Sequence, residues 1–307
     1  MRRAALLLAL AAPAAAEVAT PFTVAETGER FGRLQEAVDA IGVGAGTILI
    51  APGVYRECAV QSGGALTFRA ITAGTAVFER AACEDKAALV LRGERSAVDG
   101  LVFRQLRVAD GNGAGIRIEM GDLLVTRSTF LDSQEGILGG HPSPQRIAID
   151  RSTFSGLGQC HETEDCAHAI YLGLKGEVAV TNSRFERGRG GHYVKIRAPR
   201  VTITGNSFDD TGGDRTNYMI DLPDGARGLI ARNAFVQGTR KENRSALIAV
   251  AAESRTFPSA GLRVEGNDAR LAPGSPAGAA FVADLSGERL AVGANRLGAG
   301  IRMFERR

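Results

Sequence analysis

Short stretches in which every second residue is apolar recur through the middle of the chain. Each of them leads into a five-residue phrase that has Ser or Asn two residues before a Phe. The phrases occupy residues 126–130, 150–154, 181–185, 204–208 and 231–235. A constant phrase that recurs every 23 to 31 residues is typical of a solenoid.

No helical pattern interrupts the short strands and Gly/Asn/Asp turns between residue 64 and about residue 296. Strands that recur without crossover helices cannot easily form a doubly wound sheet, but they can coil turn upon turn. We therefore predict an all-β protein built as a single right-handed parallel β-helix. The Phe residues of the phrases should stack in one interior column.

The Ser and Asn residues of the phrases are expected to stack as well, because identical polar side chains on successive turns can hydrogen-bond to one another. The predicted ladder contains Ser128, Ser152, Ser183, Asn206 and Asn233, with a weaker continuation at Asn267 and Asn295.

Apolar residues at helical spacing between residues 31 and 41 predict a short amphipathic helix just before the first strand. A solenoid exposes apolar side chains at its ends, so this helix is expected to act as the N-terminal cap.

The first sixteen residues have the pattern of a signal peptide, with Arg2 and Arg3 before a short apolar run and an Ala-rich end. We assign residues 17–307 to a single β-helix domain, exported to the periplasm or outside the cell. No later stretch is apolar for long enough to span a bilayer. The chain is expected to be a monomer.

Without the leader the net charge falls from +3 to about +1. The charges are mixed along the chain, which argues against nucleic acid as a partner. Four cysteines follow the leader, and an even number in an exported protein predicts disulfides. We expect Cys58 to pair with Cys83 and Cys160 with Cys166, and we expect no zinc site.

The segments 34–38 (Leu-Gln-Glu-Ala-Val) and 50–57 (Ile-Ala-Pro-Gly-Val-Tyr-Arg-Glu) resemble the N-terminal start of many pectate-lyase-like β-helix proteins. The resemblance extends over residues 31 to about 296 and implies the parallel β-helix fold. It does not imply one activity, since that superfamily contains lyases, hydrolases, epimerases, esterases and proteins without known chemistry.

A second strand follows each phrase, and the residue between its apolar members should point outward. Aligning these strands predicts an external column of Arg117, Leu138, Tyr171, Lys195 and Asp221. Tyr193 and Arg197 are the outward positions expected on either side of Lys195. His168 and His192 open successive second strands, and Tyr218 opens the next.

This cluster has the residue types that β-elimination at a uronic acid requires. A guanidinium such as Arg197 can grip the carboxylate, and Lys195 or His192 can act as the base. Tyr171 or Tyr193 can supply the acid. We therefore assign catalysis to Lys195, Arg197, His192 and Tyr171, and sugar binding to the residues His168, Tyr193, Tyr218, Asp221, Glu162 and Arg117.

Two loops are also considered as parts of the predicted site. The insertion at 160–166, closed by cysteines, should bring Glu162 to the rim of the site. The acidic stretch 209–214 can offer oxygen ligands, so calcium is an option, although no cofactor is required and a plain turn is favoured.

The predicted function is that of an exported protein acting on an acidic polysaccharide, with β-elimination favoured. One alternative is a glycan-binding or envelope-structural β-helix without catalysis. A glycoside hydrolase or uronate epimerase is the other, although Gly191-His192-Tyr193, Lys195-Ile196-Arg197 and Asp209-Asp210 do not follow the order of the polygalacturonase motifs.

Overall fold

The computed structural model of the protein describes residues 20–140 and 144–307. The predicted signal peptide and His141 lie outside these residues. One helix, α1 (Leu34–Ile41), is present in the described part of the chain, with thirty-two strands.

The strands in chain order are β1 (Phe22–Val24), β2 (Arg30–Phe31), β3 (Ala45–Ile50), β4 (Gly53–Tyr55), β5 (Ala59–Gln61), β6 (Ala65–Ala70), β7 (Ala76–Glu79), β8 (Ala87–Leu91), β9 (Arg95–Asp99), β10 (Leu101–Arg104), β11 (Ala114–Ile118), β12 (Asp122–Thr126), β13 (Thr129–Leu131), β14 (Glu135–Gly139), β15 (Arg146–Asp150), β16 (Thr153–Ser155), β17 (Ile170–Leu172), β18 (Glu177–Thr181), β19 (Arg184–Glu186), β20 (Val194–Ile196), β21 (Arg200–Thr204), β22 (Ser207–Asp209), β23 (Ile220–Leu222), β24 (Arg227–Ala231), β25 (Ala234–Gln237), β26 (Ala246–Val250), β27 (Arg263–Glu265), β28 (Asp268–Leu271), β29 (Ala279–Asp284), β30 (Ala291–Val292), β31 (Arg296–Leu297) and β32 (Ile301–Arg306).

From β3 onward the strands repeat in threes, and each member of a triplet belongs to a different sheet. The first sheet runs from β3 through every third strand to β30, with β1 and β2 added at its edge. The second sheet runs from β4 to β31, and the third from β5 to β32. Neighbouring turns pair in parallel, whereas β1 pairs antiparallel with β2 and β3. The predicted right-handed parallel β-helix is confirmed.

The capping helix is also confirmed. Leu34, Ala37 and Val38 of α1 are buried, and the helix packs against β1, β3 and β5. The backbone N–H of Leu34 donates to Glu57 Oε2 at 2.9 Å, so the Glu of the 50–57 segment satisfies the first turn of the helix.

The interior is organised by the two predicted columns. The rings stack from Tyr55 to Phe235 with centroids 4.8 to 5.9 Å apart. In the polar ladder each side-chain oxygen accepts the backbone N–H of the residue one turn earlier, as Asn206 does from Ser183 at 2.9 Å. The ladder continues through Asn267 to Asn295, as predicted.

Both predicted disulfides are present, Cys58–Cys83 and Cys160–Cys166. Residues 20–140 and 144–307 include no helix with the length and apolar character needed to cross a bilayer.

Candidate functional site

The outer face of the third sheet carries two columns of side chains, with members three residues apart on each turn. The column predicted from the sequence is present, because the strand register pairs Arg117 with Leu138, Leu138 with Tyr171, Tyr171 with Lys195 and Lys195 with Asp221. The parallel column contains Ala114, Glu135, His168, His192 and Tyr218.

Because the two columns are three residues apart, the prediction that Tyr193 points outward is wrong. Strict alternation would turn Tyr193 outward beside Lys195, but β20 begins at Val194 and both residues point inward. The Tyr193 ring is 2% exposed and lies against Phe185 and Phe208. Tyr193 therefore contributes to the core and cannot contact a sugar on the surface.

The Tyr193 hydroxyl belongs to a buried polar cluster beneath the site. It donates to Asp210 Oδ1 at 2.8 Å, and the Asp210 carboxylate also accepts from Thr216 and from the Lys241 ammonium at 3.1 Å. Burial and the adjacent Asp210 raise the pKa of Tyr193 well above its usual value. These donors satisfy the carboxylate of Asp210, whose charge would be costly to bury alone.

A groove of about 570 Å³ lies over the two outward columns. Residues from four successive turns line it, together with Glu253 from a later turn and the disulfide-closed loop. The lining residues are Asn112, Arg117, Glu135, Leu138, Gly140, Asp165, Cys166, His168, Tyr171, His192, Lys195, Arg197 and Glu253.

Two cations converge on one carboxylate in this groove. Lys195 Nζ donates to Glu253 Oε1 at 2.6 Å, and Arg197 donates to the other oxygen of Glu253. Arg197 also donates to Asp224 Oδ1 at 2.6 Å and, through Nε, to the Tyr171 hydroxyl oxygen at 3.2 Å. The Tyr171 ring lies below both cations, with the Lys195 ammonium 5.8 Å and the Arg197 guanidinium 5.9 Å from its centroid.

His168 and His192 are adjacent, as the sequence predicts. His168 is buried, and the His192 side chain is 10% exposed. The backbone N–H of His192 donates to His168 Nδ1 at 3.0 Å, and the Nδ1 atoms of the two rings are 3.3 Å apart. Burial, aided by Lys195, lowers the pKa of His168 to about 3, and burial lowers that of His192 well below its usual value. Both imidazoles are therefore neutral near pH 7.

Two carboxyl groups of the columns have pKa values shifted in the opposite direction. Burial raises the pKa of Asp221 to about 7, although Lys195 lies 3.7 Å away. Asp221 Oδ2 is also 3.5 Å from His192 Nε2. Burial raises the pKa of Glu135 well above its usual value too. Shifted carboxyl and imidazole groups beside a groove are typical of functional sites.

Three other predicted residues lie outside the groove lining, namely Glu162, Tyr218 and Asp221. Glu162 accepts hydrogen bonds from Arg107 and Gln134, while Asp165 and Cys166 of the same loop line the groove instead. The Tyr218 ring is 5.7 Å from the His192 ring and packs against small side chains of the next turns. Arg117 lines the groove at the far end from Glu253.

Sequence reasoning missed Glu253, Asp224 and Glu135. Asp224 and Glu253 follow β23 and β26 by two and three residues, whereas Arg197 follows β20 directly. The alignment of second strands therefore does not point to these two carboxylates, because they lie in loops outside its register. Glu135 opens β14 as His168 and His192 open their turns, so the same alignment contained that signal.

In the acidic stretch 209–214, the first two carboxylates face different surroundings. Asp209 Oδ1 accepts the backbone N–H of Thr211 in a turn, and Asp210 faces the core cluster. In the described part of the chain, Cys160, Cys166 and Glu242 bring potential metal-ligating atoms within 4.8 Å of one another, but the two sulfurs are joined in a disulfide and provide no thiolate.

Solved structures of two alginate lyases share this architecture. Alginate lyase from Paenibacillus sp. str. FPU-7 superposes with a TM-score of 0.64 at 13% identity, covering 89% of this chain and 94% of that protein. The PL6 family alginate lyase AlyGC gives a TM-score of 0.50 at 16% identity, covering 82% of this chain and 36% of that protein.

ORF18 of Geobacillus virus E2 gives a TM-score of 0.54 at 11% identity, covering 89% of this chain and 56% of that protein. The chain has the pectate-lyase-like parallel β-helix fold. No protein-family model and no curated protein sequence matches it. At these identities the pectate-lyase-like likeness concerns the fold alone.

Proposed function

We propose that the protein is an exported lyase that cleaves an acidic polysaccharide by β-elimination in the groove of the third sheet. The observation that carries the proposal is the convergence of Lys195, Arg197 and Tyr171, which brings an amine, a guanidinium and a phenol together. The names of two structural neighbours, both alginate lyases, make alginate and related polyuronates the first substrates to test. The two disulfides favour export.

In this proposal the substrate carboxylate takes the position of Glu253 against Arg197. A guanidinium binds a carboxylate through two parallel hydrogen bonds, and its charge makes the proton on the adjacent sugar carbon more acidic. Asp224 keeps Arg197 oriented while Glu253 is displaced.

Lys195, acting as the base, then takes the proton from C5 of the uronate. The electrons of the C5–H bond form the C4–C5 double bond, and the C4–O bond to the preceding sugar breaks. The Tyr171 hydroxyl gives its proton to the departing oxygen. Because Arg197 Nε donates to the Tyr171 oxygen, the hydroxyl hydrogen is left to point into the groove.

His192 suits the role of base less well than Lys195. Its Nδ1 faces His168 and its Nε2 faces Asp221, so both ring nitrogens are directed at protein atoms. We assign His192 and His168 to supporting the turn on which Lys195 stands. His168 and Arg117, which line the groove, remain candidates for sugar contacts, whereas Asp221 is 2% exposed and lies outside the lining.

The experiment is ultraviolet absorbance of the purified protein with a panel of polyuronates, with and without calcium, because elimination creates an unsaturated uronate. Lys195→Ala should reduce the rate at which absorbance rises by a factor of about 10² to 10⁴. Arg302→Ala, at an exposed site on the last strand, serves as the control. Reducing ends without ultraviolet absorbance would indicate a hydrolase instead.

A second candidate is a glycan-binding β-helix without catalysis. It is favoured by the engagement of both Lys195 and Arg197 with Glu253, since a binding site needs no free base. Polyuronate binding in calorimetry, together with a flat absorbance trace over the whole panel, would favour this candidate over the lyase.

A further inference from the structure

A band of six arginines lies on the turns that follow the second sheet, apart from the groove. Its members are Arg80 after β7, Arg107 after β10, Arg187 and Arg189 after β19, Arg215 after β22 and Arg240 after β25. Turns of a parallel β-helix are about 4.8 Å apart, so the arginine band extends over roughly 30 Å along the solenoid axis.

The arginine band encloses two adjoining hollows. The first, of about 580 Å³, is lined by Arg80, Gln105, Arg107, Asp132 and Arg189. The second, of about 320 Å³, is lined by His161, Arg187, Gly188, Arg189, Gly212, Asp214, Arg215 and Arg240. Arg189 contributes to both hollows, so the surface is continuous.

The carboxylates at this surface are too few to neutralise it. Arg187 and Arg189 share Asp132, Arg107 pairs with Glu162, and Arg240 lies 3.7 Å from Asp214. Within residues 20–140 and 144–307, Arg80 and Arg215 have no carboxylate within ion-pair distance. Six guanidinium groups thus face three carboxylates.

The type of cation also points to the chemistry of the ligand. The arginine band contains no Lys, and a guanidinium presents a planar set of donors that matches a carboxylate in two bonds. Four of the six side chains are exposed over 49–67% of their area, so their remaining donors are available to a ligand. Charged groups at this exposure bind a multivalent polymer by summed weak contacts.

The disulfide-closed loop joins the arginine band to the groove. His161 lines the second hollow and Glu162 pairs with Arg107, whereas Asp165 and Cys166 line the groove. A single polymer can therefore contact both surfaces across this loop.

We propose that the arginine band is a second binding site for an acidic polysaccharide, which anchors the polymer while another part of it occupies the groove. This rests on the substrate class in the proposed function but not on catalysis. A polyuronate with one carboxylate on each sugar offers the repeated anions that a row of guanidinium groups requires.

The test compares two triple variants of the full chain, both made in the Lys195→Ala background so that binding is measured without turnover. The first is Arg189→Gln, Arg215→Gln and Arg240→Gln. The matched control is Arg146→Gln, Arg200→Gln and Arg227→Gln, which removes three exposed arginines from the first sheet. Thermal unfolding checks that both variants fold.

We expect the first triple variant to lose affinity for long polyuronate by a factor on the order of ten, with a weaker dependence on salt. The control should bind like its parent. With Lys195 present, the KM for the polymer should rise while that for a short oligomer confined to the groove stays constant.

Equal affinity of the two triple variants would overturn the inference, whether or not the protein has lyase activity. Duplex DNA that competes as strongly as polyuronate would overturn it in favour of a nucleic-acid surface. A flat absorbance trace combined with selective loss of polymer binding would contradict the lyase proposal and leave the arginine band supported.

Discussion

Lys195 Nζ lies 2.6 Å from Glu253 Oε1, although 58 residues separate them in the sequence. Glu253 is reached only after two further turns of the solenoid, and it holds the Arg197 guanidinium as well. Partial burial opposes ionisation of Glu253, but the bonds from Lys195 and Arg197 keep its pKa below the usual value. A carboxylate thus occupies the place where we propose that the substrate carboxylate binds.

The first prediction concerns competition between Glu253 and the substrate carboxylate for Arg197. Glu253→Gln removes the negative charge that repels an incoming uronate, so the KM for a polyuronate should fall several-fold while kcat changes little. Steady-state kinetics measured by ultraviolet absorbance would test it, with Glu242→Gln as the exposed control. A higher KM would mean that Glu253 serves to orient Lys195 and Arg197 and does not compete with substrate.

The second prediction uses the raised pKa of Asp221. The unfolded chain releases this proton near pH 4 and the folded protein near pH 7, so the folded state binds more protons between these values and loses stability as pH rises through them. Asp221→Asn removes that loss. The stability of the variant relative to wild type should grow from pH 4 to pH 7, by up to about 4 kcal/mol.

Denaturant unfolding at closely spaced pH values would measure the Asp221 effect. Asp122→Asn, in the first sheet, is the control and should leave the profile unchanged. A difference between Asp221→Asn and wild type that does not vary with pH would contradict the assigned shift.

The third prediction concerns His168, whose Nδ1 accepts the backbone N–H of His192. His168→Ala leaves this buried N–H without a partner, which should reduce the free energy of unfolding at pH 7 by about 1–3 kcal/mol. His161→Ala, at an exposed position in the disulfide loop, should change it little. Similar losses in both variants would argue against a special role for the His168 acceptor.

The His168 pKa also predicts the response of wild type to acid. The unfolded chain takes up a proton at this histidine near pH 6.5 and the folded protein only near pH 3, so this group costs stability as pH falls between those values. His168→Asn should lessen the acid-induced loss, as measured by unfolding midpoints between pH 7 and pH 4.

The fourth prediction concerns the polar ladder. Asn206 accepts from Ser183 and donates to Val180 and Asn233, all in the interior. Asn206→Ala should lower the free energy of unfolding by about 2–4 kcal/mol, because several buried groups lose their partners together. Asn295→Ala, at the partly exposed end of the ladder, should cost clearly less. Equal costs at the two positions would show that burial does not set the strength of the ladder.

The sequence alone determined the solenoid, its cap, both disulfides and the column from Arg117 to Asp221. These follow from local rules that repeat on every turn. An apolar residue must face the interior, the Ser or Asn of each phrase must satisfy a backbone N–H of the preceding turn, and a parallel register then places equivalent residues side by side.

Tertiary structure decided the details at the site. Tyr193 and Val194 both point inward before Lys195, because the chain bends between the second and third sheets and strict alternation does not hold there. The contacts of Glu253 and the pKa values of Asp221 and His168 depend on how later turns and loops cover the third sheet. Burial and long-range charge are sums over the assembled fold, so no local pattern in the sequence could specify them.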